Sequence, residues 1–253
     1  MIYHYNEVPI FYTISGKGRT LVLLHGFLES STMWSSYVPS FSLHRTVLTI
    51  DLPGHGKSGC LAPVHSMEMM ADMVYALLHH LQIDKASFMG HSMGGYVGLA
   101  YIEAYGLEVE GLTLLNSTTR KDTLEQKRNR DRATRIVLEN KGVFIGNVMN
   151  LLFIESSHQL YSTEIAALKK EAMGFSTEGI IAATQGMKDR PDRTDVFQNF
   201  KGEKLIICGD EDPVVPISVS KDIAAATNSR LIVLNGGHMS WIENFGELLK
   251  LCT

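Results

Sequence analysis

Residues 86–95 read ASFMGHSMGG and place a serine in a G-x-S-x-G motif, after a largely apolar run and before a helix-like run. The run Ala86–Met89 predicts a buried strand, and the residues after Ser92 predict a helix. A serine on a sharp strand-to-helix turn holds strained backbone angles, so the residues two positions away must be small. Gly90 and Gly94 meet that requirement. The segment therefore predicts an α/β fold that presents Ser92 as a nucleophile.

Short apolar runs alternate with longer amphipathic segments on both sides of this motif, a pattern typical of strands joined by crossover helices. The predicted strands are an opening hairpin at Tyr3–Tyr5 and Ile10–Ile14, followed by Leu21–Leu24, Thr46–Ile50, Ala86–Met89, Leu112–Leu115, Lys204–Cys208 and Leu231–Leu234. The predicted helices cover about residues 66–82 and 93–105, a segment with Pro216 in its first turn, and a final segment from about Ser240. The fold class is therefore α/β, with a doubly wound, mostly parallel, eight-stranded sheet.

The alternation stops between about Thr118 and Arg193, where no strand-like run occurs and charged residues crowd positions 120–141. Apolar spacing at Val148, Leu151 and Leu152 predicts helices in this region. We therefore predict a helical cap at residues 118–193, inserted into a core domain formed by residues 1–117 and 194–253.

Composition narrows the possible functions. The chain has 253 residues, 45% of them hydrophobic and 20% charged, as expected of a globular protein. A formal net charge of −4 provides no basic field for nucleic acid, so no nucleic-acid partner is expected. A small-molecule substrate is expected instead, and the composition leaves the oligomeric state open.

The cysteines and the apolar runs bear on the cellular compartment. Cys60, Cys208 and Cys252 are far apart and lack metal-binding spacing, so they are interpreted as reduced thiols of a cytoplasmic protein. Residues 1–7 show no leader-like pattern, and no apolar run reaches the roughly 18 residues that a membrane span needs. Neither secretion nor membrane spanning is expected.

Two later segments supply the base and the acid that a nucleophilic serine requires. An acidic loop with Asp210, Glu211 and Asp212 follows the strand Lys204–Cys208, and His238 follows the last predicted strand. The order serine, acid, histidine is the one used by α/β folds with this type of serine motif.

Five motifs in this order resemble the α/β-hydrolase family, over nearly the whole chain. They are His25-Gly26-Phe27, Asp51-Leu52-Pro53-Gly54-His55-Gly56-Lys57-Ser58, Gly90-His91-Ser92-Met93-Gly94-Gly95, Gly209-Asp210-Glu211-Asp212 and Gly237-His238. The resemblance implies an esterase-like, cofactor-free enzyme with the catalytic residues Ser92, Asp212 and His238. It also implies an oxyanion hole formed by the backbone amides of Phe27 and Met93.

Other activities fit the same resemblance. One branch cleaves carbon-carbon bonds or eliminates pyruvate, as the menaquinone-pathway synthase does, but such members carry arginine after the last glycine pair, where this chain has Tyr96. Members with an aspartate nucleophile are disfavoured by Ser92. A non-catalytic ligand receptor of this fold is a further alternative, although such proteins commonly lose one of the three catalytic residues.

The remaining charged motifs have simpler interpretations. Gly56-Lys57-Ser58 lacks the earlier glycine of a P-loop, because position 51 is aspartate, and His79-His80 lacks metal-binding spacing. No metal site and no cofactor site are predicted. The basic residues between Arg120 and Arg135 form either a solvated helix face or a face from which one arginine reaches the pocket and binds a substrate carboxylate.

Overall fold

The computed structural model describes residues 1–252, with side chains up to Leu251, so the side chain of Cys252 lies outside the described residues. The strands are β1 (Ile2–Tyr5), β2 (Val8–Ser15), β3 (Arg19–Leu24), β4 (Arg45–Ile50), β5 (Ala86–His91), β6 (Val109–Leu115), β7 (Glu203–Gly209) and β8 (Arg230–Leu234). They form one eight-stranded sheet in the order β1-β2-β4-β3-β5-β6-β7-β8. The predicted fold class is confirmed.

The sheet is parallel from β4 to β8, and β2 pairs antiparallel with both β1 and β4. The opening hairpin turns at Asn6 and Glu7, which both have positive φ angles (48° and 68°). Such angles match the right-handed twist of two-residue hairpins. Because β5, β7 and β8 run parallel, their carboxyl ends lie at the same edge of the sheet.

The helices are α1 (Val38–Phe41), α2 (Met67–His80), α3 (Met93–Tyr105), α4 (Leu124–Leu151), α5 (Ser157–Leu160), α6 (Ser162–Met173), α7 (Thr177–Asp189), α8 (Thr194–Asn199), α9 (Ile217–Thr227), α10 (Ser240–Glu243) and α11 (Phe245–Cys252). The prediction of one final helix from Ser240 was wrong, because Asn244 leaves the helical backbone and bonds to Asn235 O at 3.0 Å. Pro216 was predicted to lie in the first turn of α9, but it is the N-cap residue directly before that turn.

Side-chain alternation along the central strands builds a core on each face of the sheet. In β3, Val22 and Leu24 belong to the core covered by α2 and α3, whereas Leu21 and Leu23 belong to the core that contains Trp34. Successive residues of a strand point to opposite faces, so a strand buried on both faces is apolar throughout. Packed layers on both faces therefore support the sheet edge at which the candidate site lies.

Helices α4 to α8 lie between β6 and β7, and most of them surround a third apolar cluster that also contains Leu28 of the core. Helix α4 breaks at Asn140 (φ −156°, ψ 89°), whose Oδ1 accepts a hydrogen bond from Val143 N at 3.0 Å and so starts a second helical segment. Helix α8 packs against α3 and α9 of the core. The domain limits at residues 118–193 stay a prediction.

Within residues 1–252, no helix combines the length and the apolar character needed to cross a bilayer.

Candidate active site

Ser92 lies at the turn between β5 and α3 with a strained backbone (φ 47°, ψ −110°). Its amide donates to Leu115 O at 2.9 Å, and its carbonyl accepts from Ser117 Oγ at 2.7 Å. A Cβ atom on Gly90 would lie 2.3 Å from the carbonyl carbon of Gly94, so the turn has no room for a side chain there. These contacts fix the Ser92 hydroxyl above the sheet edge, as the sequence predicts.

A chain of hydrogen bonds joins Ser92, His238 and Asp212. His238 Nε2 lies 2.9 Å from Ser92 Oγ, and His238 Nδ1 lies 2.8 Å from Asp212 Oδ2. His238 and Asp212 are only 1% and 4% exposed. With the carboxylate on Nδ1, the proton of a neutral imidazole stays on that nitrogen and Nε2 is free to accept the serine proton.

Asp212 is held as a carboxylate by four donors. Besides His238, the amides of Val214 and Val215 donate to Oδ1 at 2.8 Å and 2.9 Å, and Asn116 Nδ2 donates to Oδ2 at 3.0 Å. Burial by itself raises the pKa of Asp212, but the interaction with His238 and these hydrogen bonds outweigh it, so the pKa lies below its ordinary value. The site therefore keeps a negative charge behind His238.

The neighbouring acids are placed differently. Asp210 and Glu211 are exposed, and Asp210 Oδ1 accepts from Gly236 N at 2.8 Å. Of the three acids in this loop, Asp212 is the one the structure brings to His238.

The loop after β3 carries Phe27. His25 orients this loop, because its Nδ1 lies 2.7 Å from Gly26 O and its Nε2 accepts from Leu52 N at 2.8 Å. Phe27 and Ser92 line the same cavity, and Met93 is the first residue of α3. In the described part of the chain, the amides of Phe27 and Met93 donate to no protein acceptor. Both are therefore available to an oxyanion beside Ser92.

A buried ion pair that sequence reasoning missed lies next to these groups. Glu29 Oε2 is 2.8 Å from His91 Nδ1 and accepts from Gly26 N at 2.7 Å. His91 Nε2 lies 3.0 Å from the carbonyl oxygen of His238, so both ring nitrogens face acceptors and the imidazole is protonated.

The pKa shifts of this pair follow from its geometry. Burial lowers the pKa of His91, but Glu29 outweighs burial and raises it; burial raises the pKa of Glu29, but His91 outweighs burial and lowers it. The pair joins the Phe27 loop, the Ser92 turn and the His238 loop. The position of His91 directly before Ser92 was the one sequence signal for it.

A cavity of about 400 Å³ opens at Ser92 and His238 and extends under the cap. Its apolar lining residues are Phe27, Ala133, Phe144, Val148, Leu151, Leu152, Met187, Pro213 and Val214, and its polar ones include Tyr96, Gln126, Asn129, Arg130 and Thr184. The sequence left open whether an arginine between Arg120 and Arg135 reaches the pocket. Of the basic residues in that stretch, Arg130 lines the cavity. Among the side chains that the structure describes, up to Leu251, no cluster of three or more His, Cys, Asp or Glu could hold a metal ion.

Comparisons with known proteins agree with this architecture. The sequence model described as "alpha/beta hydrolase fold" matches residues 19–245. The chain is 29% identical to the putative carbamate hydrolase RutD of Pantoea ananatis, over 90% of this chain and 86% of that protein. It is 26% identical to the dihydrolipoyllysine-residue acetyltransferase component of the acetoin cleaving system of Pseudomonas putida, but spans only 62% of that protein's length.

A solved structure of a thermophilic esterase from Thermogutta terrifontis, with malate bound, superimposes with a TM-score of 0.91. The two chains are 29% identical, and the match covers 96% of this chain and 91% of the esterase. The chain belongs to the α/β-hydrolase fold family.

Proposed function

We propose that this hydrolase-family chain is a serine hydrolase that cleaves small esters, thioesters or related carbonyl compounds through an acyl-enzyme. The observation that carries the proposal is the continuous hydrogen-bond chain from Ser92 Oγ through His238 to Asp212, with distances of 2.9 Å and 2.8 Å. Distances of this size suit proton transfer between a nucleophile and its general base.

The roles follow from the contacts. Ser92 Oγ attacks the substrate carbonyl while His238 Nε2 takes its proton, and Asp212 stabilises the imidazolium that forms. The amides of Phe27 and Met93 donate to the oxyanion, each contributing roughly 10²–10³ in rate. His238 then returns the proton to the leaving group, and a water molecule activated by His238 releases the acid from Ser92.

The cavity supports a small substrate with apolar parts. Its volume of about 400 Å³ lies near the lower end of ligand pockets, and apolar side chains such as Phe144 and Val148 form much of its wall. An ester or thioester with a short acyl chain fits this description.

The direct test is Ser92→Ala, assayed with short p-nitrophenyl esters. The wild type should release p-nitrophenol and the variant should lose about 10³-fold or more of kcat. Ser240→Ala is a matched control, because Ser240 is buried two residues after His238 but its hydroxyl donates only to Gly237 O, at 3.5 Å. Equal turnover by wild type and Ser92→Ala would refute the assignment of the nucleophile.

Labelling with a fluorophosphonate probe separates this proposal from a non-catalytic receptor. An activated serine forms the phosphonate adduct, whereas a receptor without one stays unlabelled. Labelling without ester turnover, combined with cleavage of a carbon-carbon bond or elimination of pyruvate, would favour the alternative branch of the family.

A further inference from the structure

Two arginines in the cap share one carboxylate. Arg130 Nε donates to Asp122 Oδ2 at 3.1 Å, and Arg190 Nη1 lies 2.7 Å from Asp122 Oδ1. The side chains of Asp122 and Arg190 are only 2% and 5% exposed. The group therefore carries one uncompensated positive charge beside the cavity.

That charge is on the cavity side of the group. Arg190 is fixed away from the cavity, because it donates to Met187 O at 2.6 Å and to Arg120 O at 3.0 Å. Arg130 instead lines the cavity and is 24% exposed. Among the described residues, no acceptor binds its two terminal amino groups, so they are available to a ligand.

The other charges in the cavity wall are balanced. Glu29 is compensated by His91 at 2.8 Å. Asp131 follows Arg130 in the chain but lies outside the cavity wall, and Lys188 binds it at 2.6 Å. No carboxylate of the cavity wall is therefore left to neutralise Arg130.

Tyr96 adds a second donor to the same wall. Its ring lies under the guanidinium of Arg190, 3.9 Å from ring centroid to Cζ, and the residue is only 4% exposed. A cation over an aromatic face fixes the ring, and in the described part of the chain the Tyr96 hydroxyl has no protein partner. Because Tyr96 lines the cavity, its hydroxyl can donate to a ligand oxygen there.

We propose that Arg130 and Tyr96 form a carboxylate-binding subsite, so that the favoured substrates are esters with a free carboxylate remote from the reacting carbonyl. The inference rests on the proposed hydrolase function and names its substrate class. The planar guanidinium fork matches a carboxylate with two parallel hydrogen bonds.

The test compares two esters that differ only in charge: mono-p-nitrophenyl adipate and its methyl-capped diester. Wild type should favour the free acid by about tenfold to hundredfold in kcat/KM, the range of hydrogen bonds between charged groups. Arg130→Met should bring the ratio of kcat/KM between free acid and diester close to one. Arg130→Lys should keep part of the preference, because lysine retains the positive charge but lacks the two parallel guanidinium donors. Asp122 stays paired with Arg190 in both variants, so the cap keeps its buried ion pair.

Arg135→Met is the matched control, because Arg135 is exposed on the same helix and does not line the cavity. It should keep the wild-type ratio. A second pair of esters, p-acetoxybenzoate and its methyl ester, carries the carboxylate on the leaving group. The pair that shows the preference identifies the side of the ester bond that faces Arg130.

The outcomes separate the subsite from the proposed function. Turnover of both members of each pair at equal rates overturns the subsite and leaves the hydrolase assignment intact. Absence of all ester turnover and of fluorophosphonate labelling refutes the hydrolase assignment. In that case, calorimetric titration with monomethyl adipate decides on the subsite: binding that Arg130→Met abolishes supports it, and equal or absent binding in both proteins overturns it.

Discussion

Replacing Asp212 with asparagine should invert the proton position on His238. The amides of Val214 and Val215 both donate to Oδ1, whereas among the other donors only Asn116 Nδ2 donates to Oδ2, so in Asp212→Asn we expect Oδ1 to remain the oxygen. The new amide nitrogen then occupies the Oδ2 position, 2.8 Å from His238 Nδ1. Nδ1 is 3.0 Å from Oδ1 but closer to this new donor, so we expect Nδ1 to accept from it and the imidazole proton to move to Nε2.

With its proton on Nε2, His238 cannot act as the general base. Nε2 faces Ser92 Oγ at 2.9 Å, and once protonated it can no longer accept the serine proton. We expect kcat to fall about 10⁴-fold, as for the same substitution in other serine triads. At roughly 1.36 kcal/mol per factor of ten, this corresponds to about 5 kcal/mol of lost transition-state stabilisation.

The assay is p-nitrophenyl ester turnover under saturating substrate, with the midpoint of thermal unfolding measured alongside. Glu211→Gln makes the same chemical change on an exposed neighbour and should keep kcat within about twofold. If Asp212→Asn retains a tenth or more of wild-type kcat while remaining folded, the argument from the tautomer is wrong.

Three further predictions concern the surroundings of the nucleophile. Gly90→Ala should lower the free energy of unfolding by about 3 kcal/mol or more in urea titrations, because its Cβ would lie 2.3 Å from the Gly94 carbonyl carbon. Phe27→Ala removes a side chain from the cavity wall and should raise KM yet keep kcat within about tenfold, since the proposed oxyanion donor is the backbone amide; a loss of 10³-fold in kcat would contradict this. The folded-state pKa of His91 is raised above 6.5, so the His91–Glu29 contribution to the free energy of unfolding is complete below pH 6.5 and is lost as the pH rises through the raised pKa. His91→Gln should abolish that decline in urea titrations, and an unchanged pH profile would contradict the ion pair.

The meeting of Ser92, His238 and Asp212 in one hydrogen-bond chain was predictable because each is marked by its neighbours in the sequence. Ser92 has glycines two positions away on both sides, and Asp212 and His238 each lie in a loop that follows a short apolar run predicted as a buried strand. Parallel strands end at the same edge of a sheet, so local signals sufficed to bring distant residues together.

The Glu29–His91 pair and the shared carboxylate of Asp122 could not be predicted in the same way. Glu29 and His91 are 62 residues apart, and neither carries a local pattern that names its partner. Periodicity shows which face of a helix is apolar but not how that helix docks, so the cap arginine that enters the cavity could not be chosen from sequence.

Helix ends show a similar limit. Asn140 and Asn244 interrupt stretches of otherwise helical composition, and in both cases an asparagine side chain makes a hydrogen bond that competes with the helix. Whether such a bond forms depends on what lies nearby after folding: for Asn244 it is the carbonyl of Asn235.

The cap leaves the sheet after β6 and returns at β7, two strands that are direct neighbours and pair from Gly111↔Glu203 to Leu115↔Ile207. Any connection long enough to cross over between parallel neighbours closes this ladder equally well. The strand ladder beside Ser92 thus does not depend on the length of this connection, although Asn116 and Ser117 at its start bond to Asp212 and Ser92. Grafting a foreign helical segment in place of α4 to α7, with Asn116 and Ser117 kept and a carbonyl supplied for His238 N where Leu152 O now accepts it, would therefore exchange much of the cavity wall. The same connection gives natural sequences a route to new substrates.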